Sequence, residues 1–277
     1  MEICKWLYSK NSDIQGEAKI MNTKETLIIM HLKKALLSTS TFEKKFTILY
    51  EITSVLMKHI FSTKKERLPK ALLYACVVHI IGVMRMSNGA MRPLLLVMRK
   101  EYTIYNHSVN VAFMASLMGK EMDYTHEQLI ELTYAALLHD IGNIRLENNL
   151  LEKTSSLSHD EFELIKYHTE YGYSILKQNG IRNFTILSAV LLHHEKLDGS
   201  GYPKGFHGNK IPSLAQIIGV IDIFNALVSK RTFRESYTSY DALMIMKHEM
   251  DHQIDHRIVD LLITMLACCK QAHAQVI

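Results

Sequence analysis

Apolar residues recur every three or four positions over much of the first 90 residues, which is the spacing of helices that bury one face. One such stripe runs from Ile28 to Leu36, and a second runs from Phe46 to Ile60. A third apolar segment, from Ala71 to Met84, is too short to span a bilayer and contains His79, so it predicts a core helix. This part of the chain therefore predicts several amphipathic or buried helices.

Turn-forming residues interrupt this pattern at Ser87-Asn88-Gly89, and Pro93 lies just beyond them. We therefore predict a helical N-terminal domain over residues 1–90 and a second domain over residues 91–277. The N-terminal domain lacks the clustered acidic residues and the βα alternation of a receiver domain. Its residues leave open whether it has a sensory or a dimerisation role.

The second domain also predicts helices rather than strands. Thr125 with Gln128, and Ser158 with Glu161, have the spacing of a capping box, in which two side chains satisfy free N–H groups at a helix start. Pro212 fits the first position of a later helix. The sequence has only 4 prolines and 12 glycines, which favours long helices over short strands and turns. We predict an all-α fold.

Composition and charge narrow the functional classes only mildly. The net charge of +4, with histidines neutral, fits an anionic ligand. The sequence lacks the dense run of Lys and Arg that would indicate a DNA- or RNA-binding protein. The four cysteines form no CxxC or disulfide pattern, and the N-terminus lacks the pattern of a signal peptide. We therefore expect a cytoplasmic protein with no membrane segment.

Three polar clusters interrupt the apolar helices and carry candidate chemistry. His139-Asp140 ends an apolar helix, His193-His194-Glu195 precedes a glycine-rich loop over residues 198–209, and Asp222 lies within an apolar segment. Imidazoles and carboxylates bind metals, and a carboxylate with two oxygens can bridge two ions. Each cluster alone has a plainer interpretation: a polar helix end, a surface loop, or a carboxylate held by hydrogen bonds. Together they favour metal binding.

Six motifs, in order from about residue 93 to the C-terminus, resemble those of the HD-GYP family. They are Tyr102 to Ala112, His139 to Ile144, Leu151 to Glu161, His168 to Leu176, His193 to Pro203, and Asp222 to Leu227 followed by Arg231 and Arg234. The resemblance covers about two thirds of the chain. It implies an α-helical HD-domain bundle, with the N-terminal helical domain as a smaller unit.

The resemblance also implies two divalent metal ions that share one carboxylate. Four residues would bind the first ion: His107, His139, Asp140 and Asp222. Four would bind the second ion: Asp140, His168, His193 and His194. Five imidazoles and two carboxylates suit iron or manganese better than calcium or magnesium, and the resemblance favours iron, with manganese second.

The activity implied is hydrolysis of cyclic di-GMP, first to linear pGpG and then, more slowly, to GMP. Two metals lower the pKa of a bound water and neutralise charge on phosphorus, so we expect a bridging hydroxide as the nucleophile. The catalytic residues would be Asp140, His139 and Asn143. The substrate contacts would come from Tyr202, Lys196, Arg231 and Arg234. Further partners would be a diguanylate-cyclase-type protein at the Gly201-Tyr202-Pro203 loop and a second copy of the chain.

Two positions depart from the family pattern. Asn143 stands where family members often have lysine, which removes a charge that could orient phosphate. Thr103 stands where some members have a glutamate for a third metal, so we predict two metals. Three alternatives stay open: a phosphodiesterase for cyclic GMP-AMP, a receptor or protein-interaction module with slow or lost catalysis, and a simple nucleotide monophosphohydrolase.

Overall fold

The regular elements are all helices in a computed structural model that describes residues 17–87, 90–98, 102–151, 153, 155–230 and 235–274. The predicted all-α fold is confirmed. None of the helices within these ranges is long and apolar enough to cross a membrane.

The helices follow one another along the chain, and the segment over residues 193–212 is the longest connection between two of those in the described ranges. In chain order they are α1 (Glu17–Leu37), α2 (Phe42–Thr63), α3 (Lys70–Arg85), α4 (Met91–Met98), α5 (Ile104–Glu121), α6 (His126–Leu138), α7 (Asn148–Leu151), α8 (His159–Lys166), α9 (His168–Gln178), α10 (Phe184–Leu192), α11 (Ser213–Val228), α12 (Ser239–His248) and α13 (His256–Ala274). Two short 3₁₀ helices lie at Ile141–Arg145 and Gly208–Lys210.

Helix α5 lies at the centre of the core. It is buried from His107 to Gly119 and packs against α2, α3, α6 and α11. The Phe113 ring meets the rings of Phe46 and Tyr50 edge-on, and the Tyr50 hydroxyl donates to Asn110 Oδ1 at 2.7 Å. The buried apolar residues of α2 and α3 therefore belong to the same core as those of α5. The domain boundary at residue 90 stays a prediction.

Local sequence signals explain where several helices begin. Both predicted capping boxes form, with Thr125 and Gln128 at the start of α6 and Ser158 and Glu161 at the start of α8. The predicted apolar stripes of α1 and α2 face the core. The prediction for Pro212 was off by one residue, because its ψ of 142° is extended and α11 starts at the next residue.

Candidate metal centre

The seven predicted metal ligands come from separate segments and converge on one place. His107 lies in the first turn of α5, and Asp222 lies in the middle of α11. The other five lie where helices begin or end: His139 and Asp140 directly after α6, His168 at the first residue of α9, and His193 and His194 directly after α10. Because side chains at helix ends can turn away from the helix axis, residues that are adjacent in sequence can reach one shared centre.

The two oxygens of Asp140 divide four imidazoles into two groups. Oδ2 lies 3.8 Å from His107 Nε2 and 3.5 Å from His139 Nε2. Oδ1 lies 3.3 Å from His168 Nε2 and 4.0 Å from His193 Nε2. In both groups the candidate ligand atoms lie within 4.8 Å of one another. Asp140 therefore occupies the position that a carboxylate shared by two ions would need.

Asp222 contacts imidazoles from both predicted groups. Its Oδ1 lies 2.9 Å from His107 Nε2, in keeping with its predicted place beside the first ion. Its Oδ2 lies 3.7 Å from His194 Nδ1, which belongs to the second predicted group. This second link between the two groups is not predicted from the sequence.

Hydrogen bonds on the outer side of three imidazoles determine which nitrogen carries the proton. Nδ1 of His139, His168 and His193 lies 2.8, 2.7 and 2.8 Å, respectively, from the carbonyl oxygen three residues earlier. Since a carbonyl only accepts, Nδ1 must donate, and Nε2 of a neutral ring keeps its lone pair. All three lone pairs are therefore available on the side of the ring that faces the centre.

Among the described residues, no N–H or O–H group donates a hydrogen bond to these lone pairs. Whether metal ions fit the centre can be judged from that. His168 Nε2 and His193 Nε2 lie 3.4 Å apart, and His139 Nε2 is buried without a hydrogen-bond partner. Leaving buried acceptors unsatisfied costs free energy, and a divalent cation among them removes that cost. The residues at this centre are therefore chemically suited to bind divalent cations.

Burial and mutual contact shift the pKa values of several predicted ligands. Burial lowers the pKa of His193 well below its ordinary value and that of His194 to about 4. Burial would also lower the pKa of His107, but the hydrogen bond and the charge of Asp222 raise it above its ordinary value. Burial alone would raise the pKa values of Asp140 and Asp222, yet neighbouring imidazoles hold both below the ordinary range. Metal binding requires anionic carboxylates and neutral imidazoles, which the lowered pKa values of Asp140, Asp222, His193 and His194 favour.

The close approach of two backbone segments requires glycine at position 142. A β-carbon on Gly142 would overlap the carbonyl oxygen of His168 and crowd the backbone nitrogen of Gly172. We expect Gly142→Ala to push the His139-Asp140 turn away from α9, to weaken metal binding and to lower the free energy of unfolding by about 1–3 kcal/mol. Metal analysis and thermal unfolding measure both effects.

Gly82→Ala is the matched control for this substitution. Gly82 lies inside α3 with open space around it, so alanine should raise the free energy of unfolding by about 0.5–1 kcal/mol and leave metal binding unchanged. Parental metal content in Gly142→Ala would contradict the proposed role of the close approach.

The other predicted site residues have varied surroundings. Asn143 is buried, and its side-chain amide donates to the carbonyl oxygen of Asp140 at 3.0 Å. Lys196 donates to the side chain of Gln253 at 2.8 Å. Two predicted substrate contacts lie outside the described residues: Arg231 and Arg234.

Tyr202 lies beside the histidines predicted to bind metal, together with two residues of α8. Its ring centroid lies 4.7 Å from that of His194, with 30° between the ring planes. Phe162 meets the Tyr202 ring edge-on at 6.4 Å, and the Lys166 ammonium lies 4.9 Å from the Phe162 centroid and 5.7 Å from the Tyr202 centroid. We call Phe162, Lys166 and Tyr202 the aromatic rim. Phe162 and Lys166 are not predicted from the sequence, where their spacing of four residues was the available signal of a shared helix face.

Two further residues missing from the predicted site support it from behind. The buried carboxylate of Glu195 accepts from the backbone N–H groups of Lys204 and Phe206 at 2.6 and 2.8 Å, and so holds the loop that carries Tyr202. Asn225 Oδ1 lies 2.7 Å from Nδ1 of a predicted ligand, His107. Both follow a predicted ligand closely in sequence, which was the only available signal.

Comparisons with known proteins agree with this geometry. Residues 92–258 match a family model described as an HD domain. The cyclic di-GMP phosphodiesterase response regulator RpfG of Xanthomonas campestris pv. campestris is 34% identical over 60% of this chain and 44% of its own length. The cyclic di-GMP phosphodiesterase of Thermotoga maritima is 35% identical over 49% of this chain and 37% of its own length. The 3'3'-cGAMP-specific phosphodiesterase 3 of Vibrio cholerae serotype O1 is 36% identical over 52% of this chain and 31% of its own length.

The matched part of this chain thus spans less than half the length of each of these three relatives. Among solved structures, Bd1817, an HDG"Y"P protein from Bdellovibrio bacteriovorus, superposes with a TM-score of 0.70 at 18% identity. The superposition covers 90% of this chain and 81% of that chain, so the shared fold extends into the N-terminal helices.

Proposed function

This chain belongs to the HD domain family, and on that premise we propose that it is a metal-dependent phosphodiesterase that hydrolyses cyclic di-GMP. The observation that carries the proposal is the position of Asp140, whose two oxygens face two separate groups of imidazoles. Relatives named as cyclic di-GMP phosphodiesterases support the choice of substrate. We assign linear pGpG as the first product, with a slower second cleavage to GMP.

The proposed cofactors are two divalent ions, iron first and manganese second, because five imidazoles and two carboxylates suit borderline metals. When bound, the ions supply a water of lowered pKa and positive charge beside the phosphodiester. The chain's own part is to hold its ligands in place beforehand. The Nδ1–H bonds keep the rings oriented, and Asn143 restrains the Asp140 turn through the backbone carbonyl.

The substrate side of the centre is proposed to include the aromatic rim. A guanine base can stack on an aromatic ring, and the Lys166 ammonium adds positive charge beside it. We propose that Arg231 and Arg234 supply further cations to the phosphates, since a guanidinium fork matches phosphate oxygens. The sequence allows two interpretations of Lys196, attraction of the substrate or a solvent-facing side chain, and in the structure its ammonium donates to the side chain of Gln253.

Phe162→Ala tests the aromatic rim. Phe162 is 44% exposed and two ring contacts away from the ligand histidines, so its loss should weaken substrate binding more than catalysis. We expect KM for cyclic di-GMP to rise about tenfold with kcat nearly unchanged, because base stacking contributes about 1–3 kcal/mol per base. Leu164→Ala is the control, since Leu164 is 53% exposed on the same helix. A parental KM in Phe162→Ala would exclude the rim from substrate binding.

The function itself is tested by anaerobic purification, metal analysis and incubation with cyclic di-GMP and cyclic GMP-AMP in parallel, with chromatographic separation of the products. We expect the iron- or manganese-loaded protein to release pGpG from cyclic di-GMP. Faster cleavage of cyclic GMP-AMP would support the alternative specificity, which is favoured by the relative named 3'3'-cGAMP-specific phosphodiesterase 3.

A receptor with slow or lost catalysis is the second candidate function, and Asn143 favours it. The residue carries no charge, and its amide is engaged with the backbone of Asp140. Tight binding of a cyclic dinucleotide by protein that holds two ions, without cleavage of either compound, would establish the receptor and contradict the enzyme.

Two further partners and a location complete the proposal. We propose a homodimer, because Leu27, Met30 and Leu37 are exposed apolar residues on α1, which a second copy could cover. We also propose a diguanylate-cyclase-type partner at the Gly201-Tyr202-Pro203 loop, and a cytoplasmic location. Light scattering of the purified chain tests the first of these, since a monomer at micromolar concentration would contradict the homodimer.

A further inference from the structure

His107 differs from three other ligand histidines in what holds its outer nitrogen. His139, His168 and His193 donate to carbonyls in the last turn of the preceding helix, where carbonyls lack intrahelical partners. His107 lies at the start of α5, and the carbonyl three residues before it, that of Ile104, lies inside the helix and accepts from the Ser108 hydroxyl. A carbonyl of its own helix is therefore not free to orient this ring.

A side chain from another helix takes that place. Asn225, fully buried on α11, accepts from His107 Nδ1 at 2.7 Å. Its Nδ2 donates to the Ser229 hydroxyl at 3.2 Å, and that hydroxyl donates to the carbonyl oxygen of Met98 at 3.0 Å. The chain of hydrogen bonds therefore links a predicted metal ligand to the end of α4.

The direction of each bond in this chain is determined by its last member. The Met98 carbonyl can only accept, so the Ser229 hydroxyl uses its single proton there. The hydroxyl must then accept from Asn225, which turns the amide N–H₂ group toward Ser229 and the oxygen toward His107. That oxygen requires a proton on His107 Nδ1, so Nε2 is the nitrogen that faces the carboxylates of Asp140 and Asp222 and that would bind an ion in place of a proton.

We propose that Asn225 is a positioning residue of the metal centre, which sets the tautomer and the ring orientation of His107, and that Ser229 sets the orientation of the Asn225 amide. The proposal rests on the metal centre of the proposed function, but it does not depend on the substrate. An acceptor beside the outer nitrogen keeps the inner nitrogen free to bind an ion, and loss of such a partner typically lowers metal affinity about 10–100-fold.

Asn225→Leu tests the proposal, since leucine has a similar size and no acceptor. We expect manganese affinity, measured by calorimetry on the full chain, to fall about 10–100-fold, with the loss concentrated on one of the two ions. Asn225→Asp should bind manganese at least as tightly as the parent, because a carboxylate oxygen accepts the same proton from His107. Ser229→Ala should show a smaller loss than Asn225→Leu, since the amide keeps its acceptor but loses the group that orients it.

Two results would overturn the proposal. One is a parental affinity for both ions in Asn225→Leu, after circular dichroism in a chelator has shown that the variant folds. The other is a nitrogen-15 spectrum of the zinc-loaded parent in which His107 carries its proton on Nε2, a measurement that decides the matter even if Asn225→Leu fails to fold. Neither experiment uses a cyclic dinucleotide. A protein that binds metal but does not cleave a cyclic dinucleotide would therefore contradict the proposed function and leave the role of Asn225 untouched.

Discussion

Asp140→Ala is expected to lose at least one of the two ions and to hydrolyse cyclic di-GMP roughly 10³-fold more slowly, because one bound ion contributes several kcal/mol of transition-state stabilisation. The physical reason is the position of the carboxylate. Its two oxygens lie 3.3–4.0 Å from four imidazole nitrogens, so this one substitution removes a partner from four of the predicted ligands at once. Elemental analysis of protein loaded anaerobically and initial rates of pGpG release measure the two effects.

Asp160→Ala is the matched control for this substitution. Asp160 is an exposed carboxylate in the first turn of α8, outside the group of predicted ligands. We expect its replacement to leave metal content and rate near the parental values, which separates loss of a ligand from loss of negative charge. Parental metal content in Asp140→Ala would contradict the assignment of Asp140 as the shared ligand.

The second large effect is an acid-induced loss of stability in the metal-free protein. Burial lowers the pKa of His139, His193 and His194 in the folded state, that of His194 to about 4. In the unfolded chain these imidazoles titrate near 6.5. Between those values the unfolded chain binds more protons than the folded protein, so its stability falls as the pH falls. For each extra proton bound by the unfolded chain, the free energy of unfolding falls by about 1.4 kcal/mol per pH unit of acidification.

The pKa of His107 shifts in the opposite direction, but this shift does not cancel the loss of stability in acid. The bond and charge of Asp222 raise its pKa above the ordinary value against the effect of burial. Its contribution to stability is therefore complete below the unfolded pKa near 6.5 and is lost as the pH rises through the folded pKa. The lowered pKa values of Asp140 and Asp222 matter only in more acidic solution, where carboxylates begin to protonate. Below about pH 6.5, the histidines with lowered pKa determine the slope, and burial also lowers the pKa of His59 and His79 outside the centre.

Urea unfolding in a chelator at several pH values between about 7 and 5 measures this slope while most carboxylates stay ionised. His194→Gln should flatten it by up to about 1.4 kcal/mol per pH unit, because one proton is no longer taken up on unfolding. His252→Gln is the control, since the His252 side chain is 89% exposed. A free energy of unfolding that stays constant or rises on acidification would show that the imidazoles are not held neutral by burial.

Much of the site could be predicted because its ligands belong to short motifs. The HD pair, the adjacent histidines before the Gly201-Tyr202-Pro203 loop and the lone carboxylate in an apolar helix are all visible in sequence. The structure brings these groups together, and their roles as ligands stay proposals until metal is measured. Asn225 was harder to predict, because it follows Asp222 by three residues in an apolar helix, and its role appears only where α5 crosses α11.

The aromatic rim was missed for a related reason. Phe162 and Lys166 share a face of α8, which the sequence predicts as a helix through its capping box. That prediction does not say what lies opposite the face. Tyr202 comes from a loop whose course depends on the Glu195 carboxylate and on the backbone N–H groups that it accepts from.

By itself, the sequence determined the helices, the starts of several of them and the residue types that can bind metal, because periodicity, capping and ligand chemistry depend on neighbours a few positions apart. Only the tertiary structure decided which nitrogen of His107 faces the carboxylates and which oxygen of Asp140 faces which imidazole. Those choices depend on contacts between distant segments, such as the bond between His107 and Asn225 across 118 residues. Hydrogen-bond direction is a property of the assembled neighbours, and no local pattern encodes it.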